Sequence, residues 1–197
     1  MAFAVEMKGI TKRFGTKVLA NDNVDLELNK GEILSLLGEN GSGKTTLMNM
    51  LAGIYYPDEG QIFVDGEEVV IRSPFDAFSY KIGMVHQHFK LVDVFSAADN
   101  IILGEKCPDK NIWKRIKFNW LSKNHTEKLQ TIADKYGFEI DLKKKVYDMS
   151  VSEKQTVEII KVLYRGADVL ILDEPTAVLT PQEISKLFAV MRKMKED

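Results

Sequence analysis

Residues Gly38-Glu39-Asn40-Gly41-Ser42-Gly43-Lys44-Thr45 follow an apolar run, Ile33 to Leu37. They lead into an apolar pattern of helical spacing at Leu47, Met48, Met50 and Leu51. A strand, a Gly-rich loop and a helix in that order is the context in which such a loop binds phosphate. Glycines let backbone N–H groups close around phosphate oxygens, and the helix start adds the positive end of its dipole. Lys44 is placed to reach the β- and γ-phosphates, and the Thr45 hydroxyl to ligate Mg²⁺. The motif restricts the chain to an α/β architecture that handles a nucleotide.

Far downstream, Val169-Leu170-Ile171-Leu172 precedes Asp173-Glu174. Four consecutive apolar residues predict a strand buried on both faces, as in a parallel sheet. An acidic pair at the C-terminal end of such a strand lies at the edge where these sheets bind ligands. Asp173 is placed to hold the Mg²⁺ shell, and Glu174 to orient or deprotonate an attacking water.

The 197 residues suffice for one domain with a sizeable core, or one with a subdomain inserted. A net charge of −2 gives no global field for nucleic acid or anionic lipid. The only cysteine, Cys107, excludes an internal disulfide and fits a reducing compartment. No apolar run approaches the length of a membrane span, and the N-terminus lacks a signal-peptide layout. A soluble, cytoplasmic chain is expected.

Val5–Ile10 and Val24–Leu28 read as half-buried antiparallel strands, and Ile33–Leu37 as a buried strand before the loop. Gln61–Val64 and Glu68–Ile71 flank Asp65-Gly66, a hairpin signal. Pro74 can open a short helix, and Gly83–Val85 reads as a brief strand. From Ala97 to Leu163 the pattern is helical, apart from a basic, aromatic stretch around 106–121 that holds Trp113, Phe118 and Trp120 and reads as solvated surface. Pro181 suits the first position of a last helix, with Ile184, Leu187, Phe188 and Met191 on one face.

With these residues on the page, the chain resembles the nucleotide-binding subunit of an ATP-binding cassette (ABC) transporter, over essentially its whole length. The resemblance implies a P-loop NTPase (RecA-like) core with an antiparallel β subdomain and an inserted helical subdomain. The expected parts are 1–88, antiparallel β plus the phosphate-loop part of the core; 89–165, helical; and 166–197, the rest of the core. Phe14, in Lys12-Arg13-Phe14-Gly15, matches the family's adenine-stacking aromatic. Gly38, Glu39, Asn40, Gly41, Ser42, Gly43, Lys44, Thr45 and Thr46 match its nucleotide contacts, and Thr45, Gln87 and Asp173 its Mg²⁺ site. Glu174 and Gln87 match its catalytic pair. Met149 to Gln155 stands in the place of the signature motif, where Ser150 and Ser152 serve the ATP of the opposite subunit, and Ala177-Val178-Leu179-Thr180 stands at the D-loop.

The segments Gly83 to Phe89, Asn100 to Gly104 and Glu174 to Pro181 resemble simple-sugar importers, and His86 and His88 the branch that imports nucleosides. The implied partners are a second ATP-binding cassette, transmembrane permease subunits and, indirectly, a solute-binding protein, at the cytoplasmic face of the plasma membrane. No nucleic acid is expected. Two departures stand out. Ser152 replaces a glycine and Thr156 an arginine of the signature, while Ser150-x-x-Glu153 reads as a capping box. A further strand and a catalytic His, which the family places after the last helix, are absent before Asp197, so a truncated fragment with little hydrolysis of its own is expected. The alternatives are a degenerate half-site that closes on ATP without efficient hydrolysis, and a soluble ABC ATPase outside transport.

Overall fold

A computed structural model describes residues 3–87, 89–104, 123–177 and 179–196. His88, Cys107, Trp113, Phe118, Trp120 and Val178, all singled out from the sequence, lie outside the described residues. The chain divides into two compact units: residues 1–84, 167–173 and 191–197, and residues 85–166 and 174–190.

In the first unit, β1 (Phe3–Phe14) and β2 (Val18–Asn29) form a long antiparallel pair. β3 (Glu59–Val64) joins the other side of β1, and β4 (Glu67–Val69) joins β3, giving the order β2-β1-β3-β4. Val64 pairs with Glu67 across a two-residue turn, in which Asp65 has φ 53° and Gly66 φ 84°. Two positive φ angles make the turn whose twist matches the strands, which is why Asp-Gly marks the hairpin. One face of this sheet carries Val5, Met7, Ile10 and Ile62, all buried. They meet Leu47, Met50 and Leu51 of α1 (Lys44–Leu51), the helix after the phosphate loop. Full burial of each such side chain stabilises the fold by about 1.5–3 kcal/mol relative to exposure.

α2 (Pro74–Ser79) starts at Ser73, whose hydroxyl accepts from the Asp76 N–H, with Pro74 at the first helical position. β5 (Ile82–Val85) and β6 (Val169–Leu172) form a separate two-stranded sheet. The ion pair Lys81–Asp168, at 2.7 Å, closes the end of that pair.

Residues 33–37 do not form the expected strand. Ile33, Leu34 and Leu37 are exposed by 42%, 41% and 90%, and only Leu36 packs on the core. A strand persists when a neighbour accepts its backbone hydrogen bonds, and among the described residues no strand pairs with this segment. β6 is also less enclosed than a four-residue apolar run suggests, since only Ile171 is buried.

The second unit is helical. α3 (Ala97–Ile102), α4 (Lys123–Tyr136) and α5 (Val151–Tyr164) surround a core of Ala97, Ile101, Leu129, Val146, Val157 and Ile160. Asn100, 1% exposed, is fully engaged: its Nδ2 donates to the Val92 and Ser96 carbonyls, and its Oδ1 accepts from the Val92 N–H. That pins the 92–96 loop to α3. The last helix, α6 (Pro181–Lys195), follows Thr180, whose hydroxyl caps Glu183. Its buried residues are Leu187 and Val190, and Phe188, expected on the apolar face, is 44% exposed.

Candidate nucleotide site

The phosphate loop starts α1 without a side-chain cap and without an acidic residue in the first turn. The first N–H groups of that helix are therefore available to an anion, and the helix dipole favours one there. Gly41 and Gly43 have φ 84° and 88°. At Gly43 a Cβ would collide with the Ala20 carbonyl and lie 2.8 Å from Asn21 Nδ2, so β2 forms the floor of the loop.

Lys44 Nζ donates to the Gly38 carbonyl at 2.7 Å, the Glu39 carbonyl at 2.8 Å and Ser42 Oγ at 3.4 Å. The ammonium thus stands inside the loop it would share with a phosphate. Thr45 Oγ1 donates to Asp173 Oδ1 at 3.2 Å, across 128 residues of sequence. Thr46, the last contact expected of this loop, lies in the first turn of α1. Phe14, 38% exposed, ends β1 opposite Val18. Val18 lies two residues before Ala20, about 7 Å along the strand. The hairpin therefore carries an aromatic ring at roughly nucleoside reach from the loop.

In the second unit, Gln87 Nε2 donates to Glu174 Oε2 at 3.0 Å. Glu174 has φ 48°, a left-handed backbone that costs a non-glycine residue about 1–3 kcal/mol and clusters at functional positions. Ser150 and Glu153 form the expected capping box: Ser150 Oγ accepts from the Glu153 N–H at 3.2 Å, and Glu153 Oε2 accepts from the Ser150 N–H at 2.7 Å. Lys144 Nζ adds bonds of 2.7 and 2.9 Å to both oxygens of Glu153. Lys144 first, and the Ser150 N–H next, hold the Glu153 carboxyl below the ordinary glutamate range. Ser152 lies in the first turn of α5, where its carbonyl accepts from the Thr156 hydroxyl at 3.0 Å, and the Glu183 carboxyl is lowered chiefly by the Thr180 N–H and hydroxyl.

Sequence reasoning gave no role of their own to three polar residues that shape these segments. Asn21, 6% exposed, offers Nδ2 to the Gly43 carbonyl at 3.4 Å and leaves a buried Oδ1 without a partner among the described residues. Gln155 Nε2 donates to the Pro175 carbonyl at 2.9 Å, next to Glu174. Glu158, 4% exposed, accepts from the Lys90 N–H and from Lys161, fixing the chain just after Gln87. The available signal was a Gln and a Glu within the apolar run of α5, where a buried polar group needs partners.

The oxygen set fits Mg²⁺, which takes hard oxygens, keeps waters and relies on one or two carboxylates plus phosphates. Thr45 and Asp173 supply a hydroxyl and a carboxylate already in contact. Among the described residues no group of three or more His, Cys, Asp or Glu is arranged to hold a metal. No described helix is long and apolar enough to cross a membrane.

The ABC transporter family model matches residues 21–177. The chain is 50% identical over 197 residues to the guanosine import ATP-binding protein NupO of Bacillus subtilis, covering all of this chain and 37% of NupO. It is 49% identical to the nucleoside import ATP-binding protein NupA of Lactococcus lactis, over 96% of this chain and 36% of that protein. The chain thus spans little more than a third of the length of these curated relatives. A crystal structure of an ATP-binding cassette from an ABC transporter in its ADP conformation superposes with a TM-score of 0.84 at 25% identity, covering 100% of this chain and 78% of that one. A nucleotide-free cassette gives the same TM-score at 24% identity, which speaks for the fold. The phosphate loop, its acidic partner and the antiparallel sheet thus have their counterpart in one family: the chain is an ATP-binding cassette of the ABC transporter family.

Proposed function

We propose that the chain binds and hydrolyses ATP to power import of a small solute, a nucleoside or a simple sugar. The observation that carries the ATP reading is the contact of Thr45 with Asp173 beside Lys44, at the uncapped start of α1. In this reading Phe14 stacks on adenine, and residues 38–46 hold the phosphates. Thr45, Gln87 and Asp173 hold Mg²⁺, which would neutralise phosphate charge, and Glu174 activates water. Ser150 and Ser152 serve the ATP of a second cassette. The chain acts with transmembrane permease subunits, at the cytoplasmic face of the plasma membrane, with a solute-binding protein delivering the cargo. Likeness to guanosine and nucleoside import proteins favours a nucleoside.

Ser152, standing where the signature motif carries a glycine, favours a second reading, a half-site that closes on ATP but hydrolyses it slowly. The test is uptake. The whole gene product and its neighbouring membrane proteins are placed in cells lacking nucleoside transport, and labelled guanosine and ribose are supplied. Guanosine uptake that Lys44→Ala abolishes is expected. Ribose uptake alone would move the cargo to sugars, and uptake of neither would overturn the import reading.

A further inference from the structure

Beyond Thr11, β1 has no strand neighbour on the β3 side among the described residues, because the register with β3 ends at the pair Thr11–Glu59. Phe14 therefore sits on a hairpin end whose strand pairing is with β2 alone, and its ring needs a support from outside the sheet to keep one plane. The segment after α1 supplies it. Tyr55 meets Phe14 with ring centroids 5.2 Å apart and an interplanar angle of 75°, an edge-to-face contact. Asp58 fixes the backbone below: its N–H donates to the Thr11 carbonyl at 2.9 Å, and its carboxylate accepts from the Arg13 N–H at 2.6 Å and Lys12 Nζ at 2.9 Å. Lys12 Nζ also lies 5.7 Å from the Phe14 ring centre.

Tyr55 is in turn tied to the phosphate helix. Its N–H and that of Ile54 both donate to the Asn49 carbonyl, at 3.2 and 2.8 Å. We propose that Tyr55 is a positioning residue for the nucleotide base: its edge sets the plane of the Phe14 ring, so α1 orients the phosphates at its first turn and the base beyond its last. This rests on the reading of Phe14 as the stacking ring. Tyr55 is 38% exposed, so its contact is open to substitution without emptying a core position. Edge-to-face aromatic pairs contribute beyond buried area, on a scale that corresponds to about a fivefold change in affinity.

The experiment measures Mg-ATP and Mg-tripolyphosphate binding to the 197-residue chain by calorimetry, for the parent, Phe14→Ala, Tyr55→Leu and Tyr55→Phe, with thermal melting alongside. Tyr55→Gln replaces Tyr55→Leu if the latter melts early. Phe14→Ala and Tyr55→Leu are expected to weaken ATP, the latter about fivefold, and to leave tripolyphosphate within about twofold. Tyr55→Phe is expected to bind both ligands as the parent does. Parental ATP affinity in Tyr55→Leu, with Phe14→Ala impaired, would overturn the inference and spare the stacking reading. Parental ATP affinity in Phe14→Ala would overturn both. Equal loss of ATP and tripolyphosphate in Tyr55→Leu, or failure of Tyr55→Phe to restore binding, would also overturn it.

Discussion

Lys44 directs its ammonium at Gly38, Glu39 and Ser42, the loop that presents it. A phosphate entering the loop would draw the same charge, and hydrogen bonds to charged groups contribute more than neutral ones. Lys44→Ala is expected to weaken ATP binding more than about tenfold, on the order of 1.5–3 kcal/mol, measured by calorimetry. Near-parental affinity would count against the site. Glu174 differs: it accepts from Gln87 and sits in a left-handed backbone conformation. Glu174→Gln keeps the shape and loses the base, so in the assembled transporter ATP affinity should hold while turnover falls about 10²–10⁴-fold. A parental turnover rate would remove Glu174 from that role. These residues were legible in the sequence because each has a chemical type that the reaction requires. Asn21 and Tyr55 were not, because their importance lies in what they touch.

The start of α5 is the element whose energetics can be read most directly. Its capping box satisfies two terminal N–H groups, and Ser150→Ala is expected to cost about 1 kcal/mol in chemical denaturation. Glu153 adds a pH dependence. Its carboxyl is lowered in the folded chain by Lys144 and then by the Ser150 N–H, so the folded state favours the charged form. That stability is present above the ordinary glutamate value of 4.5 and is lost as pH falls through the lower, folded value. Denaturation of the parent and Glu153→Gln across a pH series should therefore show a gap above that value that closes on acidification. A gap independent of pH would mean that the charge of Glu153 is not the cause. The capping box could be read from Ser150 and Glu153 alone, because it is local. Lys144 could not, because the 3₁₀ turn at Val146–Asp148 brings it back to the helix start.

For the whole chain, each reactive group is already occupied within its own unit. Lys44 faces its loop, Glu174 accepts from Gln87, and Ser150 caps α5. The exposed Ile33, Leu34 and Leu37, with no strand beside them among the described residues, leave the loop's approach segment without the pairing that holds a strand rigid. Loss of a single preorganised donor costs catalysis about 10²–10³-fold. The 197-residue chain is therefore expected to bind Mg-ATP weakly and to release phosphate at least about 100-fold more slowly than the assembled transporter, in a phosphate-release assay. Equal rates would show that no further chain is needed to complete the site.

Local chemistry determined what the sequence alone could settle. The phosphate loop before α1, the Asp65-Gly66 hairpin, the Ser73 and Ser150 caps and the acidic pair after β6 are each specified by residues within a few positions of one another. Backbone conformation and short-range hydrogen bonds decide such features wherever the segment lies. The tertiary structure decided which segments find a partner. An apolar run at 33–37 has the composition of a buried strand, yet strand formation depends on a neighbour's hydrogen bonds, which no property of the run itself provides. The same holds for Thr45 meeting Asp173, Glu158 holding Lys90 and Tyr55 bracing Phe14, contacts between residues far apart in sequence that exist only because the fold closes the distance.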